Sequence, residues 1–370
     1  MNARIIALVR KEFLALVRDK RSRMILIMPP LMQLVIFAFA ITLEVKNNTL
    51  TIFNEDNGAH SAELINRLTH IGAFSELRYA FDGAAMQADI DGQSSLVALH
   101  IPSDFSARLE RHEPVAVQAI VDGRRSNSGQ IALGYLNQII VAYGAELVPA
   151  SVRRGAAGSE IVVRHWFNPN LRYLWFTIPA LTMILTTLIT MIVTALSVAR
   201  ERELGTFDQL LVSPLSPGQI LLGKAIPAYL VAIAEGSVIV IVGTLIYGVP
   251  FRGSLLLFYL SLSSYLISLV GIGLFISSLC KTQQQAILGV FSFLLPAILL
   301  SGYATPVDNM PRWLQFATLT NPMRHFFVVA KGEFLKALEP AAVWASTWPM
   351  LLIAAFTLTA AYWLFRHKLD

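Results

Sequence analysis

Cysteine is almost absent. Cys280 is the only one in 370 residues, which excludes an internal disulfide and any Cys-x-x-Cys metal or redox motif. The seven histidines are scattered and show no ligand spacing, so no metal is expected. Charge is also scarce: 14% of the chain is charged and 55% hydrophobic, whereas soluble domains carry roughly 25% charged residues. This is the composition of a membrane protein. A P-loop is missing too. Gly218–Ala225 approaches the pattern, but Ala225 stands where a magnesium-binding Ser or Thr is needed, and no strand precedes it. No nucleophile–base–orienter set is legible, so catalytic residues and bound cofactors are both expected to be absent. The net charge of +5 does not imply nucleic acid, because the basic residues flank apolar runs instead of forming a basic domain.

What is present is a series of apolar runs and one polar insert. Residues 1–23 hold seven Lys or Arg, and Ile6, Val9, Phe13, Leu16 and Val17 share a helical face. That pattern predicts an amphipathic helix on the inner membrane surface. Residues 24–44 form the first apolar run, about 20 residues, enough to cross a ~30 Å hydrocarbon core and longer than a signal-peptide core. Residues 45–170 change character. Strand candidates at Thr49–Asn54, Ser95–His100 and Val115–Val121 alternate with helical patterns near Ser61 and at Ile131–Tyr143. Ser103 is expected to cap a helix carrying Arg108 and Glu110. The alternation predicts an α/β domain outside the membrane.

Four further apolar runs follow at Leu171–Val198, Ile220–Tyr247, Leu255–Leu279 and Ala286–Tyr303, the last expected to break at Pro296, with a final one at Val343–Phe365. The fold class is thus an α-helical polytopic membrane protein: six spans, an α/β extracytoplasmic domain between the first two, and residues 171–370 as a five-helix membrane domain. Thr182, Thr186, Thr190 and Thr194 repeat at four in the second run. They make one polar stripe, either a packing seam or a pathway lining. Glu235 lies near the middle of the third run. A charge there costs roughly 2.5–3.5 kcal/mol on insertion scales, so it is either a substrate or proton contact or a neutral, packed acid. Residues 302–325 hold two proline-rich interruptions and predict a re-entrant or interfacial element. Lys and Arg number thirteen on the segments this topology places inside and five outside, beyond the α/β domain; both termini are therefore expected in the cytoplasm.

Between the second and third spans lies a charged island, Arg200-Glu201-Arg202-Glu203, followed by Leu204, Phe207, Leu210 and Leu211 on one helical face. Pro214 and Pro217 are expected to end that helix. Glu201-Arg202-Glu203-Leu204-Gly205-Thr206-Phe207-Asp208-Gln209-Leu210-Leu211-Val212-Ser213-Pro214 resembles the intracellular loop of type-2 ABC exporter permeases. The Ser301–Trp313 region and Asn321-Pro322 resemble the outer element of the same family, and the resemblance extends over nearly the whole chain. Residues 45–170 resemble, more weakly, the extracytoplasmic domain of the bacterial multidrug-export branch.

The resemblance implies a permease subunit exporting drugs or amphipathic small molecules from the bacterial inner membrane. Segment 200–217 would be the coupling helix, with Glu201, Arg202, Glu203, Gly205, Thr206, Phe207 and Asp208 as ATPase-coupling residues. ATP and magnesium would sit on a partner ABC ATPase subunit. A second permease, identical or different, would complete the pathway, with Thr182, Thr186, Thr190, Thr194 and Glu235 as candidate lining. A periplasmic adaptor and membrane lipid are further expected partners, and nucleic acid is not. An ion-coupled secondary transporter would also use Glu235, but no paired repeats are visible. A membrane-anchored sensor or assembly factor would explain the outer domain without needing six spans.

Overall fold

The computed structural model describes residues 3–18, 24, 28, 32–33, 35–36, 48–69, 74–111, 113–147, 167–168, 172–206 and 215–367. It divides into two compact units: Met1–Ile41 with His165–Asp370, and Thr42–Arg164. Most of the first apolar run lies outside the described residues.

The smaller unit is an α/β layer structure. β1 (Asn48–Asn54), α2 (Ala59–Thr69), β2 (Phe74–Ala80), α3 (Gly83–Asp91), β3 (Val97–Ile101), α4 (Phe105–Glu110), β4 (Gln118–Val121) and α5 (Ser126–Leu147) follow in order. The sheet runs β2-β1-β3-β4, with β1 parallel to β2 and β3, and β4 antiparallel to β3. Alternate residues of a strand face opposite sides. Accordingly Leu50 and Ile52 join Leu64 and Leu68 of α2 and Leu136 of α5 in the main core. Thr51, between them, bonds Asp89 (2.8 Å) and Ser95 (2.6 Å). Met86 and Ile90 of α3 meet Ala80 and Ala98 in a smaller cluster. The helix after Pro102 starts at Phe105 with Asp104 at its N-cap, and no side chain caps it. The expected cap at Ser103 is not formed; the Asp104 carboxylate instead accepts from Arg108 at 3.5 Å.

The larger unit holds α1 (Ala3–Arg18), α6 (Tyr173–Glu203), α7 (Pro217–Leu245), α8 (Leu255–Leu279), α9 (Gln283–Leu299), α10 (Arg312–Ala317), α11 (Pro322–Leu335) and α12 (Pro340–His367). Among the described residues, α6, α7, α8 and α12 are long and apolar enough to cross a membrane, while α9 has 17 residues. Pro296 does not break α9, which runs on to Leu299; at ~1.5 Å per residue it remains a short helix.

α6 is the axis of this unit. Some 78% of its most apolar stretch is buried, against 33%, 56% and 22% for α7, α8 and α12. Small residues set its close contacts. A Cβ at Gly273 of α8 would fall 1.8 Å from Thr194 Oγ1, and one at Gly236 of α7 would be 3.2 Å from Thr186 Cγ2. Tyr265 of α8 stacks on Phe326 of α11, with centroids 4.4 Å apart, and hydrogen-bonds Thr187 of α6. Pro217 does not end a helix; it opens α7, where proline lacks only a donor that would be unpaired anyway. Ser216 and Gln219 form a reciprocal capping box ahead of it, with Gln219 N–H donating to Ser216 Oγ at 3.4 Å and Ser216 N–H to Gln219 Oε1 at 3.1 Å.

Candidate functional site

The charged island is not a separate helix at its start. Arg200–Glu203 form the last turn of α6, and Gly205 follows with φ +69, a backbone state glycine adopts without a Cβ penalty. Phe207 and Asp208 lie outside the described residues, as does the rest of the segment to Pro214.

Three side chains of this turn reach four different elements. Glu201 Oε1 is 2.9 Å from Lys11 Nζ of α1, and Oε2 is 2.8 Å from Lys224 Nζ of α7, an ion contact. Lys224 also meets Glu12 Oε1 at 3.2 Å and donates to the Ser197 carbonyl at 2.9 Å. The Lys224 side chain is fully enclosed, and those of Glu201 and Glu12 are only 10% and 15% exposed. Two ammonium groups face two carboxylates, so the cluster is neutral, the condition for tolerating buried charge. Burial works against charge on Lys11, but the hydrogen bond and field of Glu201, helped by Glu12, outweigh it and raise its pKa. Beneath the cluster, Leu8 of α1 packs where a Cβ on Gly223 would come within 2.3 Å.

Arg202 turns the other way. Its Nη1 donates to the carbonyls of Ser278 (2.9 Å) and Cys280 (3.1 Å), at the C-terminal end of α8, where carbonyls lack helical partners. Glu203 Oε2 accepts from the Gln283 N–H at 2.7 Å, a carboxylate at the positive N-terminus of α9. Thr206 N–H returns to the Glu201 carbonyl at 3.0 Å. One helical turn thus ties the middle of α1 and the early part of α7 to the adjoining ends of α8 and α9.

Thr182, Thr186, Thr190 and Thr194 are all fully buried. Each hydroxyl donates to the carbonyl four residues earlier, at 3.0, 2.6, 2.5 and 2.7 Å respectively. Glu235 lies on α7 beside Gly236. Both its carboxyl oxygens are enclosed and have no hydrogen-bond partner among the described residues. Among the described residues no three metal-binding side chains gather.

Two participants escaped sequence reasoning. Glu12 sits four residues from both Leu8 and Leu16, an acid on the buried stripe of α1, and that placement was the available signal. Glu333 of α11 is fully buried, and its Oε2 accepts from Ser254 N–H at 2.6 Å, at the start of α8. The helix that carries it was not read from the sequence.

Residues 20–363 match the model of the family described as ABC-2 family transporter protein. The chain is 50% identical to the Escherichia coli K12 protein named probable multidrug ABC transporter permease YbhR, over the full length of both. It is 30% identical to probable multidrug ABC transporter permease YbhS of the same organism, covering 99% of this chain and 98% of that one. Identity is also 30% to the inner membrane transport permease YhhJ, over 77% and 76%.

Proposed function

The chain belongs to the ABC-2 family of transporter proteins, and from that premise we propose that it is the permease subunit of an exporter of drugs or amphipathic small molecules, powered by a separate ATPase subunit. Full-length similarity to a protein named as a multidrug permease carries this reading. It displaces the ion-driven carrier and the sensor.

In this proposal six spans cross the inner membrane with both termini in the cytoplasm. The first is residues 24–44, and α9 is the fifth, continued to the outer surface by residues 300–303. Residues 45–170 stand outside, open to a periplasmic adaptor, and 302–325 form the re-entrant element. A second permease completes the pathway, and membrane lipid surrounds both. The amphipathic helix 1–23 lies at the inner surface and leans on α7.

The segment 200–217 receives the ATPase. Its residues Glu203 to Thr206 are exposed, and Phe207 and Asp208, which belong to the same docking set, lie outside the described residues. Glu201, Arg202 and Glu203 form its root. Because that root contacts four helices, movement of the docked ATPase reaches them together. The threonine row serves the packing of α6 in this conformation, and a pathway role needs α6 to part from α7 and α8. Glu235 is the candidate pathway acid, since an intramembrane ionisable group with no hydrogen-bond partner among the described residues is a candidate functional site.

Phe207→Asp tests the reading. The variant should insert at normal abundance and lose substrate-stimulated ATP hydrolysis. Unchanged stimulation would remove the docking role.

A further inference from the structure

A crevice of about 390 Å³ opens among α8, α9 and α12, lined by Ile272, Phe293, Leu352, Ile353, Phe356 and the threonines 320 and 357. An apolar recess of this size, left empty, costs its lining the dispersion contacts of one side, so it calls for an occupant. Water does not suit it, because a buried water needs two to four polar partners. The two hydroxyls present have committed their protons to hydrogen bonds, Thr357 to the Ile353 carbonyl at 2.8 Å and Thr320 to the Ala317 carbonyl at 2.8 Å, so only acceptor lone pairs remain in an otherwise apolar lining. With no free donor the lining cannot hold a phosphate headgroup, and with no charged side chain it does not balance a charged drug centre. The rim is open sideways, since Leu352 and Phe356 are 62% and 75% exposed.

Depth points the same way. Leu352–Thr357 lie near the middle of the 28-residue α12, and Ile272 and Phe293 are seven and ten residues from the ends of α8 and α9 that meet at Cys280. At ~1.5 Å per residue this is hydrocarbon depth once the bundle sits in a bilayer. The crevice has a local origin. The Asn321 side chain donates to the Ala297 carbonyl at 2.7 Å and holds the turn Thr318–Thr320 beside α9.

We propose that this crevice holds an acyl chain of a membrane phospholipid, packed between α9 and α12 as part of the folded bundle. The proposal rests on reading these helices as membrane-crossing.

The test uses the full chain in phospholipid nanodiscs containing a phosphatidylethanolamine with a diazirine midway along one acyl chain, followed by peptide mapping. Ile241 of α7, 54% exposed, is the control for ordinary lipid contact. Label is expected at Ile241 and also at the recessed Ile272. Ile353→Trp, which fills the space, should reduce label at Ile272 to background and leave Ile241 unchanged. Leu352→Trp at the rim gives the same reading if Ile353→Trp does not assemble. Label at Ile241 without label at Ile272 overturns the acyl-chain site, whether a second permease covers the crevice or it has closed. No label at either position overturns the membrane reading with it.

Discussion

Lys224 shows how one residue's environment decides its role. Its sequence context resembles a phosphate-binding loop, yet the amino group is enclosed and meets Glu201, Glu12 and the Ser197 carbonyl. Removing one partner from a buried ion cluster costs roughly 3–5 kcal/mol, whereas replacing a pair by apolar groups is often near neutral. Lys224→Met should therefore lower the melting temperature of the purified protein clearly. Adding Glu201→Leu should recover much of that loss, because Lys11 and Glu12, 3.6 Å apart, still balance each other. A double variant weaker than the single one by the full Glu201 cost would refute the cluster. Gly273 makes a second test at this scale. With Thr194 Oγ1 only 1.8 Å from any added Cβ, Gly273→Ala should destabilise by about 1–3 kcal/mol through overpacking, and Thr194→Ala should relieve part of it.

At the scale of elements, the α/β unit offers a titratable test. Asp56 is buried and accepts from Ser106 Oγ (2.6 Å), Gly58 N–H (3.0 Å) and Ser106 N–H (3.3 Å). Burial alone raises its pKa, but the hydrogen bonds of Ser106, Ser61 and the backbone prevail and hold it below the ordinary value of 3.8. A carboxylate lowered on folding stabilises fully above its unfolded pKa and loses that contribution as pH falls through the folded one. Asp56→Asn should cost about 1–3 kcal/mol at neutral pH and flatten the acid side of the curve, read as hydrogen exchange at the Ser61 and Ser106 amides in the whole chain. Helices with long apolar runs were legible: α8 spans Leu255–Leu279, as its composition predicts. β2 and α3 were not, because Ser75-Glu76-Leu77-Arg78 and Gly83-Ala84-Ala85 carry little periodic apolar signal. The Arg200–Glu203 charges looked like a fresh start. They end α6 because Glu201, Arg202 and Glu203 find internal partners, and those partners range from Lys224, the nearest in sequence, to Lys11, 190 residues away. α11 was hidden by the prolines around it, since Pro322 opens that helix behind an Asn321 cap.

At the scale of the whole molecule, the enclosed charges of the larger unit gather around the last turn of α6, and the rest of its interior is lined by apolar side chains and by Thr and Ser hydroxyls. Glu333 and Glu235 stand apart: Glu333 holds the Ser254 amide, whereas both Glu235 oxygens lack a hydrogen-bond partner among the described residues. If it serves transport, Glu235→Gln should impair export more than abundance in the membrane, and equal losses would assign it to packing. The central claim is that this chain is a permease whose charged loop docks a separate ATPase. Its most direct test is affinity purification from membranes in mild detergent, with mass spectrometry and an ATPase assay on the eluate. An ATP-binding subunit should co-elute with ATPase activity, and Phe207→Asp should remove both while leaving the permease in the membrane. Elution of this chain with no ATP-binding subunit and no activity would contradict the account.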